Sequence, residues 1–212
     1  VREAAETRKL GMVCNGWDGL KNPRPAMRAF AKFRDAAPDA ELHLFGREFG
    51  AGEAAANWAR RKGIEAGMRF HGSLPHRELI RDLAALDLLL HPALEESFGV
   101  GVAEAMALGL PVVAGRASGA VPWVVGVQNG LAGPLPGVLT DVRRPEAILA
   151  AITEAFGPDY GRRSEAGYRR ARAHFSADTV VSAYIEHYSK LPVDRELAGG
   201  RARGIKATAS GS

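Results

Sequence analysis

Short apolar runs alternate with amphipathic stretches through the first two thirds of the chain. The runs have the length of strands, and the stretches between them have the spacing of helices. The predicted strands are Leu10–Cys14, Glu41–Phe45, Met68–His71, Leu86–His91 and Leu110–Ala114, with a short sixth near Gly130–Ala132. Strands that alternate with helices are typical of a parallel, doubly wound α/β sheet, and we predict this Rossmann-like fold.

Helices are predicted between these strands and again after the last one. The first three are Pro23–Ala37, a helix that follows the glycine-rich turn Gly46–Gly52 and ends near Lys62, and one from about His76 to Ala84. From Pro145 onward the pattern is helical throughout. It predicts three C-terminal helices, at Pro145–Phe156, Tyr160–His174 and Ala177–Leu191.

Two glutamates follow the fourth strand, with seven residues between them. Glu96 falls in a loop, and Glu104 falls in a short helix that the chain enters through glycines. Carboxylates only accept hydrogen bonds, whereas the free N–H groups at a helix N-terminus bind anions. Both acids can therefore face one ligand that has hydroxyls at its ends and phosphates in its middle. A nucleotide-sugar has this layout.

The residues around the acid pair resemble the E-x7-E signature of retaining GT-B glycosyltransferases, in particular those of family 4 (group 1). The similarity includes Phe98-Gly99, Glu104–Ala107, Gly109, Pro111–Val113 and Asn129-Gly130. It covers about residues 8–191 and matches only the C-terminal half of such an enzyme. The resemblance implies a nucleotide-sugar (donor) binding domain at 8–191, whose last helix crosses to an N-terminal acceptor-binding domain that this chain lacks.

The resemblance also implies a role for each part of the signature. Glu96 would contact the hydroxyls of the transferred sugar, and Glu104 would accept hydrogen bonds from the ribose. Backbone N–H groups of Phe98, Gly99 and Val100 would point at the diphosphate or the sugar. The simpler alternatives are a loop glutamate that caps local N–H groups and a helix glutamate that faces solvent.

Two further segments would border the same ligand. By the resemblance, Lys21 binds the donor phosphates and stabilises the leaving diphosphate, so that Lys21 and Glu96 are the predicted catalytic residues. The backbone of His71-Gly72 would border the nucleobase. Gly16, predicted to contact substrate, stands where the family has an arginine five residues before the lysine. Arg47, after the second strand, is a candidate to replace that arginine.

A second departure from the family lies after the fifth strand. The family has an acid there, and this chain has Trp123. The two departures support an alternative in which the domain is a degenerate, non-catalytic binding or scaffold module. A GT-B nucleotide-sugar epimerase is a third candidate, which the intact pair of Glu96 and Glu104 disfavours.

Composition bounds the class of protein. The chain has 212 residues, 46% of them hydrophobic, which is ordinary for a globular domain. It shows neither an apolar run long enough to span a bilayer nor a signal-peptide pattern. The single cysteine, Cys14, lies in an apolar run and fits a buried thiol in a reducing cytoplasm. We therefore expect a cytoplasmic protein.

The net charge of +4 includes several arginines near the C-terminus. A basic balance favours either an anionic ligand or peripheral contact with a membrane in the full enzyme, and a solvated tail is the simpler interpretation. Residues 192–212 have almost no apolar periodicity, and we expect them to be disordered. Because the chain begins with Val1 and not with methionine, we expect it to be a piece of a longer protein.

Other kinds of site find little support in the residues. The chain has no Asp-x-Asp motif, its histidines lack the spacing of metal ligands, and one cysteine cannot build a zinc site. It has no dinucleotide or P-loop fingerprint and no basic stripe with interleaved aromatics, which argues against NAD, P-loop chemistry and nucleic acid. We expect no metal and no cofactor, with a UDP-, GDP- or ADP-sugar as the donor substrate.

The function predicted from the sequence is therefore that of a hexosyltransferase donor domain. In the full enzyme it would transfer a sugar from a nucleoside-diphosphate sugar to an acceptor, with retention of configuration. Because substrate alignment contributes much of an enzyme's rate, we expect the chain alone to bind nucleotide but to be inactive or weakly active.

Overall fold

The computed structural model describes residues 8–127 and 135–190. Six strands form one parallel sheet in the order β3-β2-β1-β4-β5-β6. They are β1 (Lys9–Val13), β2 (Glu41–Phe45), β3 (Met68–Gly72), β4 (Leu88–His91), β5 (Val112–Gly115) and β6 (Gly137–Thr140). The predicted doubly wound α/β fold is confirmed.

Helices connect the strands and complete the C-terminal part. They are α1 (Pro23–Phe33), α2 (Ala54–Arg61), α3 (His76–Leu83), α4 (Val100–Ala107), α5 (Val121–Val124), α6 (Pro145–Ala155), α7 (Tyr160–Phe175) and α8 (Ala177–Ser189). One compact unit runs to Ser176, and a second begins at Ala177. α8 belongs to this second unit, and none of its residues is buried.

Apolar side chains cover both faces of the sheet, as a doubly wound fold requires. In β4, Leu88 and Leu90 join the core beneath α1, α2 and α6, while Leu89 joins the core beneath α3, α4 and α5. Successive side chains of a strand point to opposite faces, so the continuous apolar run of β4 fills both cores. This explains why its sequence does not alternate between apolar and polar residues.

Several predicted boundaries were wrong by two to four residues, for local reasons. α1 ends at Phe33 and not at Ala37; residues 34–36 form turns, and Pro38 disfavours a helical conformation of Ala37. β4 begins at Leu88, since the N–H of Leu86 still bonds to the carbonyl of Leu83 at the end of α3. β5 begins at Val112, after Pro111, which has no N–H to donate to the ladder.

Two differences concern whole elements. The strand predicted near 130–132 lies outside the described residues, and the strand β6 at Gly137–Thr140 was not predicted. The single-turn helix α5 was not predicted, since four residues show no helical period. The tail at 192–212 also lies outside the described residues.

Asn22 joins the ends of three strands. It precedes α1 in the left-handed conformation, with φ 50°. Its side-chain amide donates hydrogen bonds to the carbonyl of Pro92, just after β4, at 3.1 Å and to the carbonyl of Val142, just after β6, at 2.8 Å. A single side chain therefore fixes the loop after β1 relative to the loops after β4 and β6.

We expect Asn22→Ala to lower the free energy of unfolding by about 2–4 kcal/mol, because two carbonyls lose a donor and alanine is strained in the left-handed region. Asn22→Gly, which tolerates that backbone, should cost less. Urea denaturation measures both, with Arg61→Ala at the exposed end of α2 as the control. Equal stability of Asn22→Ala and the control variant would show that the bridge contributes nothing.

Candidate functional site

The carboxyl ends of β1 and β4 bring Lys21 and Glu96 together. Nζ of Lys21 lies 2.7 Å from Oε1 of Glu96 and donates a hydrogen bond to it. The two side chains are 29% and 18% exposed, so the pair is screened from solvent yet still accessible to a ligand. The two residues predicted to be catalytic are therefore in direct contact, although 75 residues separate them in the chain.

His91 is the last residue of β4 and lies behind this ion pair. Its Nε2 is 3.7 Å from Oε1 of Glu96, and it has no hydrogen-bond partner within the described part of the chain. Burial lowers the pKa of His91 from 6.5 to about 4, against the opposing attraction of Glu96. The imidazole is therefore neutral at pH 7. Sequence reasoning missed His91, although a polar residue that ends an apolar strand just before Pro92 was a usable signal.

The loop that carries Glu96 is held from the opposite side by the turn after β5. The N–H of Ala120 donates to the carbonyl of Glu96 at 3.0 Å. A β carbon placed on Gly119 would lie 2.1 Å from that same oxygen, so only glycine allows this approach. The position of the Glu96 backbone thus depends on a segment more than 20 residues further along the chain.

Helix α4 begins next to this loop. Gly99 is its N-cap, with φ 87°, and no side chain of the described residues caps it. Val100, the first residue of the helix, is 60% exposed, so the start of the helix is open to a ligand. Uncapped N–H groups and the positive end of the helix dipole favour an anion at this position.

Phe98 has its side chain in an aromatic cluster. Its ring contacts Trp123, with 6.2 Å between ring centroids, and Phe175, at 5.5 Å. Arg170, which is buried, donates hydrogen bonds to the carbonyls of Trp123 and Val124. The ring of Phe98 is thus engaged in packing, and the predicted contact of its backbone N–H with a ligand remains a prediction.

Glu104 lies in the second turn of α4 and is partnered. Its Oε1 lies 2.7 Å from Nε2 of His76, the first residue of α3. The Glu104 side chain is 26% exposed and that of His76 is 71% exposed, so a ligand hydroxyl can reach the carboxylate from solvent. The buried residues of α4 are its apolar ones, whereas this acid lies at the surface of the helix. His76 was not foreseen, since a single histidine carries little signal.

Gly16, which the resemblance aligns with an arginine of the family, has a backbone conformation that disfavours a side chain. Its φ is +124°, which side chains rarely tolerate. A β carbon on Gly16 would lie 3.1 Å from Oδ2 of Asp18 and 3.8 Å from Nη2 of Arg47. The guanidinium of Arg47 therefore lies beside the position that the missing arginine would occupy.

His71 and Gly72 end β3. The ring of His71 stacks on Phe45, with 4.6 Å between centroids, and on His43, at 5.2 Å. Nε2 of His71 is also 3.0 Å from Nδ1 of His43. Burial lowers the pKa of His71. The imidazole thus packs on the surface of the sheet, and the predicted backbone contact of this turn with a nucleobase remains a prediction.

Cys14 is buried at the end of β1, and burial raises its pKa to about 12. A protonated, enclosed thiol is a poor nucleophile, in agreement with a core role. Within residues 8–127 and 135–190, no three His, Cys, Asp or Glu residues are grouped as metal ligands would be. In the same ranges, no helix is both long and apolar enough to cross a bilayer.

Solved glycosyltransferase structures share this fold. A sucrose-phosphate synthase from Thermosynechococcus elongatus superposes with a TM-score of 0.70 and 19% identity over 93% of this chain and 47% of that one. Anabaena Alr3699/HepE, crystallised with UDP and glucose, gives a TM-score of 0.71 and 22% identity over 89% of this chain and 50% of its own.

Sequence comparison identifies relatives with higher identity. D-inositol 3-phosphate glycosyltransferase of Corynebacterium jeikeium is 36% identical over 180 residues, 82% of this chain and 41% of the relative. The enzyme of that name from Mycobacterium tuberculosis is 31% identical over 189 residues, 85% of this chain and 38% of the relative. The chain thus spans about two fifths of the length of these relatives. A family model described as "Glycosyl transferases group 1" matches residues 7–157, so the chain belongs to the group 1 glycosyltransferases.

Proposed function

We propose that this chain is the donor-binding domain of a retaining, family 4 hexosyltransferase and that it binds a nucleoside-diphosphate sugar without a metal. The contact between Lys21 and Glu96 beside the open start of α4 carries this proposal. A cation and uncapped N–H groups suit a diphosphate, and the neighbouring carboxylate suits sugar hydroxyls. The UDP and glucose of Anabaena HepE and the enzyme names of the relatives support this ligand class.

The ion pair is suited to exchange its partners when the donor binds. The pair is largely screened from solvent, so each ion needs a new partner when the pair opens, and the donor offers one to each. A diphosphate brings more negative charge to Lys21 than one carboxylate does, and it releases Glu96 to accept hydrogen bonds from the sugar. In the reaction, Lys21 and the N-terminus of α4 would stabilise the charge that develops on the departing diphosphate.

Arg47 completes the cationic side of the site in this proposal. Its guanidinium lies next to Gly16, the position at which the resemblance to the family implies an arginine. The loop after β2 carries Arg47, whereas the loop after β1 carries Gly16. The positive charge beside Gly16 would therefore be supplied by a neighbouring loop. Retention of configuration, the partner acceptor domain and a cytoplasmic location, with or without peripheral membrane contact, are parts of the same proposal.

A panel of UDP-, GDP- and ADP-sugars tests the ligand class by thermal shift. A ligand at a hundredfold excess over its Kd stabilises the folded state by about 2.7 kcal/mol, which shifts Tm measurably. The proposal requires that at least one member of the panel stabilise the chain. If none does so at millimolar concentration, the domain does not bind nucleotide-sugars.

A scaffold module is the second candidate, because Gly16 and Trp123 replace an arginine and an acid of the family. Trp123 is 39% exposed and packs on Phe98 at the start of α4. A scaffold of this kind would bind no donor in the panel. Donor binding without transfer, measured in the full-length protein that contains the acceptor domain, would identify a degenerate binding module.

Lys21→Ala should weaken the binding of UDP or GDP about tenfold or more, because a charge-assisted contact to phosphate is lost. Glu96→Gln should act differently. It leaves nucleoside-diphosphate affinity unchanged or raises it, since Lys21 loses a competing partner, but it reduces the additional affinity for the nucleotide-sugar. Titration calorimetry measures both variants, and the exposed Glu95→Gln is the control. Equal losses of diphosphate affinity in Lys21→Ala and Glu96→Gln would contradict the proposal that the donor replaces each partner of this ion pair.

Glu104→Gln tests contact with the ribose. A glutamine accepts hydrogen bonds less strongly than a carboxylate, so the affinity for a ribonucleotide should fall about tenfold. The affinity for the matching 2′,3′-dideoxynucleotide should stay nearly constant, because that ligand has no hydroxyls to lose. If both nucleotides lose affinity to the same extent, Glu104 acts elsewhere on the ligand or through His76.

The burial of His91 predicts a stability that depends on pH. The unfolded chain binds a proton at His91 near pH 6.5, whereas the folded chain does so only near pH 4. The free energy of unfolding should therefore be highest above pH 6.5 and fall by about 3 kcal/mol as the pH drops to 4. Urea denaturation across this range should show the loss in the wild type and in the exposed His174→Gln control. In His91→Gln the free energy of unfolding should fall less over this range, because the residue that gains a proton on unfolding is gone. If His91→Gln has the same pH profile as the wild type, the pKa of His91 is not lowered in the folded chain.

A further inference from the structure

A cavity opens at the carboxyl ends of β5 and β6. None of the residues assigned above to the donor-binding site lines it. Its volume is about 360 Å³. The turn Gly115–Ser118 after β5 and the segment Thr140–Arg144 after β6 form most of its lining, together with Leu94 and Ala147. Since Leu94 is two residues from Glu96, the cavity and the donor site are close neighbours along one loop.

The lining is strongly basic. It includes three arginines, Arg116, Arg143 and Arg144, and one acid, Asp141. The Asp141 carboxylate already accepts a hydrogen bond from the backbone N–H of Arg143 at 3.1 Å. None of the three guanidinium groups forms an ion pair with a residue in the described ranges. Like charges gathered in one cavity repel one another, and an anion between them would remove that cost.

An uncharged donor in the wall of the cavity also lacks a hydrogen-bond acceptor. α6 begins beside the cavity with Arg144 as its N-cap, which forms no side-chain cap hydrogen bond. The acid in its first turn, Glu146, accepts a hydrogen bond from its own backbone N–H and pairs with Lys32. Ser118 is only 1% exposed, and its hydroxyl has no hydrogen-bond partner within residues 8–127 and 135–190. A buried hydroxyl without a partner is destabilising, so its presence in the wall of this cavity is a sign of a missing acceptor.

We infer that this cavity is a phosphate-binding site, separate from the donor diphosphate site. Guanidinium groups match the oxygens of a phosphate through paired N–H donors, and the start of α6 adds its dipole. The cavity has room for more than a bare anion, so its ligand is either free phosphate or the phosphate group of a small phosphate monoester. The Ser118 hydroxyl and the arginines would donate to the phosphate oxygens.

Titration of the chain with inorganic phosphate, followed by calorimetry at constant ionic strength, tests this site. Arg143→Ala/Arg144→Ala should weaken phosphate binding about tenfold or more, since two charged donors are lost. The control Arg61→Ala/Lys62→Ala removes the same charge from the exposed end of α2 and should leave the affinity within about twofold. A parallel titration with glycerol 3-phosphate shows whether a monoester binds more tightly than the free anion.

Lys21→Ala distinguishes this cavity from the donor site, and it should leave the phosphate affinity within about twofold. Ser118→Ala gives a second readout that does not depend on charge. It should leave the stability without phosphate unchanged or higher, because the hydroxyl has no partner, but reduce the stabilisation by phosphate. The inference is wrong if the wild type shows no saturable binding, if Lys21→Ala abolishes it, or if the α2 control loses as much affinity as the arginine variant.

Discussion

The parallel direction of all six strands is the constraint on which the site depends. Each strand pairs in parallel with its neighbour, so every carboxyl end lies at the same edge of the sheet. Loops that are far apart in the chain must therefore meet there. Asn22 shows this meeting of loops most directly, because its side-chain amide donates hydrogen bonds to the loops just after β4 and β6. A sheet with mixed strand directions would send some of these loops to the opposite edge.

The charged and titratable groups of the site differ in how accessible they are to a ligand. Lys21 and Glu96 hold each other in a partly exposed pair, which the proposed donor would replace with its diphosphate and its sugar. Glu104 is similarly held by the exposed His76. His91, in contrast, is buried, and its lowered pKa keeps it neutral at pH 7. The proposed ligand contacts are thus at the accessible surface, whereas His91 lies behind them in the core.

The departures from the family pattern have local structural explanations. The backbone at Gly16 disfavours any side chain, and Arg47 reaches the vicinity from the next loop. Trp123 replaces an acid but belongs to an aromatic cluster that includes Phe98, which Arg170 holds through backbone carbonyls. If Arg47 supplies the charge that the sequence lacks at Gly16, as we propose, the donor site is functional. The exchange of an acid for a tryptophan is the specific reason to test a scaffold role by direct binding.

The amino-acid sequence by itself determined the fold class, the positions of most elements and the family, because these depend on local hydrophobic period and on a motif with fixed spacing. It also identified Lys21, Glu96 and Glu104 as candidates. The tertiary structure alone decided the contact between Lys21 and Glu96, the burial of His91 and the meeting of three arginines at Ser118. These arise from segments that are distant in the chain and adjacent only after the strands have paired, and no local pattern records which loop ends become neighbours.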